Sequence, residues 1–106
     1  MSEYSHPDVD ELQLPDVLFA LSDPVRLQIV RQLASTAGSA AVTCQSVAVE
    51  LPKSTRSHHL KVLREAGVVR NTPQGRERNL SLRRADLDSR WPGLLSAVLA
   101  EQPVRV

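Results

Sequence analysis

Apolar positions along this chain fall into short runs at helical spacing, interrupted by proline, glycine and capping residues. Residues 1–11 hold too few of them to dock firmly and read as a mobile acidic arm, so order is expected from Leu12 onward. Pro15 suits the first turn of a short helix, with Val17, Leu18 and Leu21 on one apolar side. Ser22-Asp23-Pro24 sets a capping side chain before proline at the first helical position. Val25, Ile29, Val30 and Leu33 then continue a second helix, which should end before Gly38. Ser35 to Val42 reads as a loop, after which Thr43 caps a short helix from Cys44 to about Val49 that buries Val47, and Pro52 stops it. Ser54 is expected to cap the next helix, with Leu60 and Leu63 inward and Ala66-Gly67 as its terminator. Two short helices meeting across a tight turn make a helix-turn-helix, whose second helix can lay its first side chains in a DNA major groove.

Beyond that helix, Val68–Thr72 and Arg76–Leu82 are β-prone runs flanking Pro73-Gln74-Gly75, which predicts a hairpin turning at those three residues. Arg76 falls at its tip and Arg78 two residues on, on the same strand face, where a phosphate or minor groove would meet positive charge. Ala85 to Arg90 makes a helical turn. Pro92 is expected to start a last helix with Trp91, Leu94, Leu95, Val98 and Leu99 on one face, a stripe wide enough to serve two subunits. The chain then divides into an arm at 1–11, one domain at 12–101 and a tail at 102–106.

Composition narrows the options. In 106 residues, 13 Lys+Arg stand against 12 Asp+Glu, and 42% hydrophobic content includes only 3% aromatic, so one small domain with an aliphatic core is expected. A chain this short has little surface to bury alone, which favours a homodimer. The longest uncharged run, Leu33 to Val49, is broken by Ser, Thr, Gly and Gln and falls short of the ~20 apolar residues of a membrane span. The first 16 residues carry acids and no Lys or Arg, the opposite of an export signal, so a cytoplasmic location is expected. Charge is segregated: residues 53–84 hold nine Lys/Arg against two Glu, a field that a polyanion would feel.

The segments Ser22-Asp23-Pro24-Val25-Arg26-Leu27 and Lys53-Ser54-Thr55-Arg56-Ser57-His58-His59-Leu60-Lys61-Val62-Leu63-Arg64-Glu65-Ala66-Gly67-Val68-Val69 resemble the arsenic-repressor (ArsR/SmtB) family of bacterial regulators, and the likeness runs from about Val17 to Leu99. The resemblance implies a mainly α fold with a small β-hairpin (α+β), a winged helix-turn-helix that is dimeric through its first and last helices. Val17, Leu18, Leu21, Trp91, Leu94, Leu95, Val98 and Leu99 would then form the dimer interface, the helix from Ser54 to Ala66 would read a double-stranded DNA operator, and the hairpin would be the wing. Metal-sensing members carry a Cys-x-Cys pair in the first helix of the motif, or acidic and His ligands on the last helix. Here the first site reduces to Cys44, and the second keeps Asp86 and Asp88 with no His after His59. No metal and no cofactor are expected, since His6 with Cys44 falls below the usual ligand count of zinc.

Within the reading helix, Ser54, Thr55, Arg56, Ser57, His58 and Lys61 are the candidate DNA contacts. Arg56 can bond O6 and N7 of guanine, and His58 can donate or accept in the groove. Arg64, Arg70, Arg76 and Arg78 are candidate backbone and wing contacts. The family position of Arg56 is usually apolar, so the residue bears on which bases are read. Arg26 and His59 read as structural, the first through an ion pair or backbone contact, the second through the core or a backbone carbonyl. Cys44, at a helix start whose dipole would lower its thiol pKa, is a candidate redox site. Three functions follow: a repressor of a palindromic operator released by an effector, small-molecule or redox, that these residues do not identify; a winged-helix module docking its basic face on an acidic protein; and a redox-responsive repressor acting through Cys44. An enzyme is not expected, because adjacent Ser57 and His58 point apart and no acid or glycine-rich cradle accompanies them.

Overall fold

Pro15 stands in the first turn of α1 (Leu14–Leu21), where a missing N–H costs nothing. Asp23 opens α2 (Pro24–Ser35), its Oδ2 accepting the Val25 and Arg26 N–H groups at 2.8 and 3.1 Å. The structure, a computed structural model, describes residues 4–35 and 42–100. The loop expected between Ser35 and Val42 lies over 36–41 outside the described residues, as does the tail at 102–106.

Strand β1 (Val42–Thr43) leads into a single 3₁₀ turn, Cys44–Ser46, and the reading helix α3 spans Lys53–Glu65. The hairpin is β2 (Val69–Gln74) and β3 (Glu77–Leu82), followed by α4 (Arg84–Arg90) and α5 (Leu94–Leu99). The sheet order is β1-β3-β2, antiparallel throughout, with Val42 opposite Leu80 and Val69 opposite Leu82. Its buried side chains join Val17 and Ala20 of α1, Ile29, Val30 and Leu33 of α2, and Leu60 and Leu63 of α3 in one aliphatic core. Leu87 and Leu95 close that core from the C-terminal side.

Five local expectations are corrected. The helix expected from Cys44 to Val49 is one 3₁₀ turn, closed by Ser46, whose Oγ accepts from the Thr43 N–H and donates to the Thr43 carbonyl. Such local hydroxyl bonds compete with helical ones, yet Val47 is still fully buried. Helix α3 is capped by Pro52, not Ser54: extended at ψ 150°, Pro52 accepts the Arg56 N–H through its carbonyl, 3.0 Å away, and Ser54 falls inside the first turn. The hairpin turns at Gly75-Arg76, and Pro73 sits within β2 opposite Arg78. Proline is tolerated there because β2 is an edge strand, and Gly75 supplies the positive φ, 61°, of the tight turn. The last helix begins at Leu94, since Trp91-Pro92-Gly93 makes a turn with Gly93 at φ 86°. Finally, the arm docks over residues 4–11: Arg90 Nη1 donates to the Val9 carbonyl at 2.8 Å, Arg64 Nη1 to the Ser5 carbonyl at 3.1 Å, and the Asn71 N–H to His6 Nε2 at 3.0 Å. Polar and arginine contacts supply the anchorage that its few apolar residues do not.

Candidate nucleic-acid interface

Helix α3 is set on the domain by Leu60 and Leu63, and it ends in a left-handed glycine. Gly67 N–H donates to the Arg64 carbonyl and Val68 N–H to that of Leu63, both at 3.0 Å, the paired bonds of a Schellman terminus. With the apolar stripe inward, Ser54, Thr55, Ser57, His58 and Lys61 are left exposed on the outer side, and Arg56 is half-buried beside them. Ser54, Thr55, Ser57 and His58 are therefore open to solvent, whereas Arg56, in helical register with Leu60 and Leu63, turns into the wall of the neighbouring groove.

Between α3 and the wing lies a groove of about 700 Å³ lined by Lys53, Arg56, Lys61, Arg64 and Arg78, with no carboxylate on its walls. Strand alternation explains the wing's share. Arg78 lies on the same face of β3 as buried Leu80, and Asn71 on the same face of β2 as buried Val69, so both point toward the body. Arg78 donates from Nε to Asn71 Oδ1 at 2.7 Å and from Nη2 to the Asn71 carbonyl at 2.8 Å. Arg70 faces outward and pairs with Asp86 at 3.6 Å. Arg76 is exposed in the hairpin turn. The four arginines grouped as wing and backbone contacts thus have different surroundings, and Arg78 is built into the groove wall.

Residue Tyr4, which the sequence reading passed over, enters this groove. Its ring lies under the guanidinium of Arg64 at 4.4 Å and that of Arg78 at 4.3 Å, and Arg64 Nη1 also donates to the Ser5 carbonyl at 3.1 Å. An aromatic in an otherwise polar arm, in a chain with one Tyr, one Trp and one Phe, was the available signal. Asn71 was also legible, as a polar residue at an inward strand position that needs a buried partner.

His6 anchors the same segment by accepting the Asn71 N–H at Nε2, 3.0 Å away. Burial, then the fields of Arg70, Arg64, Arg83 and Arg78, lower its pKa below the ordinary 6.5. The folded chain therefore favours neutral His6. Its contribution to stability is fully present above the unfolded value, declines as pH falls below 6.5 because the unfolded chain protonates first, and levels off below the folded pKa. A His6→Gln variant is expected to lose this decline in urea titrations run across that range; an unchanged pH dependence would count against the anchor.

Cys44 is half-buried in the groove wall, an environment that suits a small packed side chain better than the reactive thiolate of the redox alternative. Burial pushes the thiol pKa up, and the Asn71 side chain and the fields of Arg78 and Arg56 offset this only in part. The single 3₁₀ turn that follows Thr43 also lacks the aligned dipole of a longer helix. Among the described residues no three His, Cys, Asp or Glu side chains gather as ligands, and His6 Nε2 accepts the Asn71 N–H.

The proposed dimer stripe divides in two. Val17, Leu21 and Leu95 are consumed by the protomer's own core, with Val17 and Leu95 at 0% and 1% exposure. Leu18 is exposed, and Trp91, Leu94, Val98 and Leu99 are partly so. An apolar groove of about 400 Å³ runs between α1, α2 and α5 past Leu18, Leu27, Ala97 and Val98. Among the described residues no helix is long and apolar enough to cross a membrane.

Residues 21–72 match the family described as a helix-turn-helix domain. The chain is 35% identical over 81 residues to the HTH-type transcriptional regulator YceK of Bacillus subtilis, a span covering 74% of this chain and 79% of that protein. Among solved structures it resembles the ArsR family transcriptional regulator RHA00566 at a TM-score of 0.63 and 19% identity, over 84% of this chain and 98% of that one. It also resembles an ArsR-like transcriptional regulator from Rhodococcus sp. RHA1, with a TM-score of 0.57 and 29% identity over 85% of this chain and 94% of that one.

Proposed function

Because the chain belongs to the ArsR-type helix-turn-helix transcriptional regulators, which bind DNA and are not enzymes, we propose that it is a repressor holding a palindromic operator as a twofold homodimer. The observation that carries this reading is the exposed first half of α3 beside a groove walled by five cations and no carboxylate. Thr55, Arg56, Ser57 and His58 read base edges, Ser54 lies at the phosphate-facing helix start, and Lys61 with Arg76 neutralises backbone charge. A second copy covers the apolar groove at Leu18 and Val98, with Trp91, Leu94 and Leu99 at its margin, and the two α3 helices meet half-sites about 34–36 Å apart. An effector of unassigned chemistry releases the DNA by favouring a dimer geometry that cannot seat both helices.

Fluorescence anisotropy on duplex from upstream of the protein's own gene, beside a scrambled duplex and across a salt series, tests this. The wild type is expected to prefer the upstream DNA. Arg56→Ala should lose about 1–3 kcal/mol of base discrimination with little change on scrambled DNA. Lys61→Ala should weaken both and flatten the salt slope by about one unit. Equal losses on both duplexes for Arg56→Ala would rule out direct readout by that side chain.

A further inference from the structure

Arg26, on α2, is a charged side chain at 6% exposure, and its side-chain donors reach two other elements. Nε donates to the Ala20 carbonyl at 2.8 Å and Nη2 to the Phe19 carbonyl at 3.2 Å, both in the last turn of α1, the second sharing its acceptor with the Ser22 N–H and hydroxyl. Nη1 lies 3.2 Å from His59 Nδ1 on α3. A guanidinium only donates, so Nδ1 is the acceptor and the imidazole proton sits on Nε2. Asp23 Oδ2, 3.9 Å from the same nitrogen, is beyond hydrogen-bond reach and is occupied by the Val25 and Arg26 N–H groups. The His59 side chain is 13% exposed, so it faces the domain while its neighbours Arg56, Ser57 and His58 face outward or toward the groove.

We propose that Arg26 is a positioning residue for DNA reading: it fastens His59 on α3 to the carbonyl end of α1 and so sets the rotation of the reading helix relative to the helix bearing Leu18 of the apolar groove. This inference rests on the reading of α3 as the operator-contacting helix and of the α1 groove as the site of the second copy. The bond from Nη1 to Nδ1 spans 33 residues of sequence and joins two elements. At 100° per residue, a rotation of α3 that breaks it carries Arg56 and His58 around the same axis, away from the base edges they address. A change of dimer geometry that moves α1 therefore reaches α3 through this side chain as well as through the shared apolar core.

The test measures dimer mass and affinity for upstream and scrambled duplex in Arg26→Gln, His59→Leu and His59→Gln, well below each variant's Tm. Arg26→Gln is too short to reach His59, and His59→Leu offers no acceptor, whereas His59→Gln presents an amide oxygen. Expected is a loss of about tenfold in affinity for the upstream duplex in the first two, the size of one charge-assisted hydrogen bond, with scrambled-duplex affinity within about threefold of wild type and the dimer intact. His59→Gln should restore the upstream preference. A purely structural role would lower Tm and leave the ratio of the two affinities unmoved, and that result overturns the proposal, as does equal loss on both duplexes. Should Arg26→Gln fail to fold, the two His59 variants decide. A wild type without preference for the upstream duplex would instead overturn the reading of α3 on which the proposal rests.

Discussion

Leu63→Ala is expected to destabilise the protein by about 2–5 kcal/mol, because it removes a fully buried side chain from the inner face of α3 and leaves a cavity that the surrounding aliphatic packing cannot close. A domain of this size has on the order of 5–15 kcal/mol in total, so the change consumes a large part of it. Urea denaturation should show a lower midpoint at unchanged slope, with Tm lowered by roughly 10 °C or more. DNA affinity measured well below that Tm should fall by much less. A loss under about 1 kcal/mol would mean that α3 is not seated on Leu63 as described.

Gly67→Ala is the second large effect, and it acts on the joint between the reading helix and the wing. Gly67 lies at φ 86°, where a side chain costs about 1–2 kcal/mol. An added Cβ would also overlap the Leu12 side chain and touch that of Pro7, so the docked arm must shift to admit it. Displacing buried Leu12 adds roughly 1–3 kcal/mol, for a total on the order of 2–5 kcal/mol. Gly75→Ala is the matched control. It shares the positive φ, 61°, but a Cβ there meets nothing within 4 Å, so only the backbone cost should appear. Equal losses in the two variants would show that Leu12 does not press on Gly67.

These two glycines illustrate how far the chain's chemistry was legible before its structure. Ala66-Gly67 as the end of α3 followed from local rules, since the Schellman bonds join residues at most five apart. That Leu12 and Pro7 press on Gly67 did not, because nothing in the spacing of residues 1–11 brings them to the helix joint. The hairpin was expected but its turn was placed too early: Pro73 signals a turn by itself, and only the sheet order, with β2 at the edge, lets it remain in a strand. Amphipathic spacing grouped Val17, Leu18 and Leu21 on one side of α1. It could not tell which of them a protomer spends on its own core, and the packing of α2 and α3 buried Val17 and Leu21 while leaving Leu18 outside.

The basic segment at 53–84, the capping of α2 by Asp23, the inward Leu60 and Leu63 and the resemblance to a family of DNA-binding regulators all stood in the linear order of residues. Each depends on periodicity, capping or charge density, interactions that act within a few residues. What the tertiary structure decided is which of those charges are committed elsewhere. Arg64 and Arg78 close on Tyr4, Asn71 pairs with His6 across 65 residues, Arg26 joins α1 to His59, and burial raises the Cys44 pKa where a helix dipole was expected to lower it. A guanidinium or an imidazole finds its partner only once distant elements have packed, because the hydrogen bond is short and directional while the chain between its ends is long.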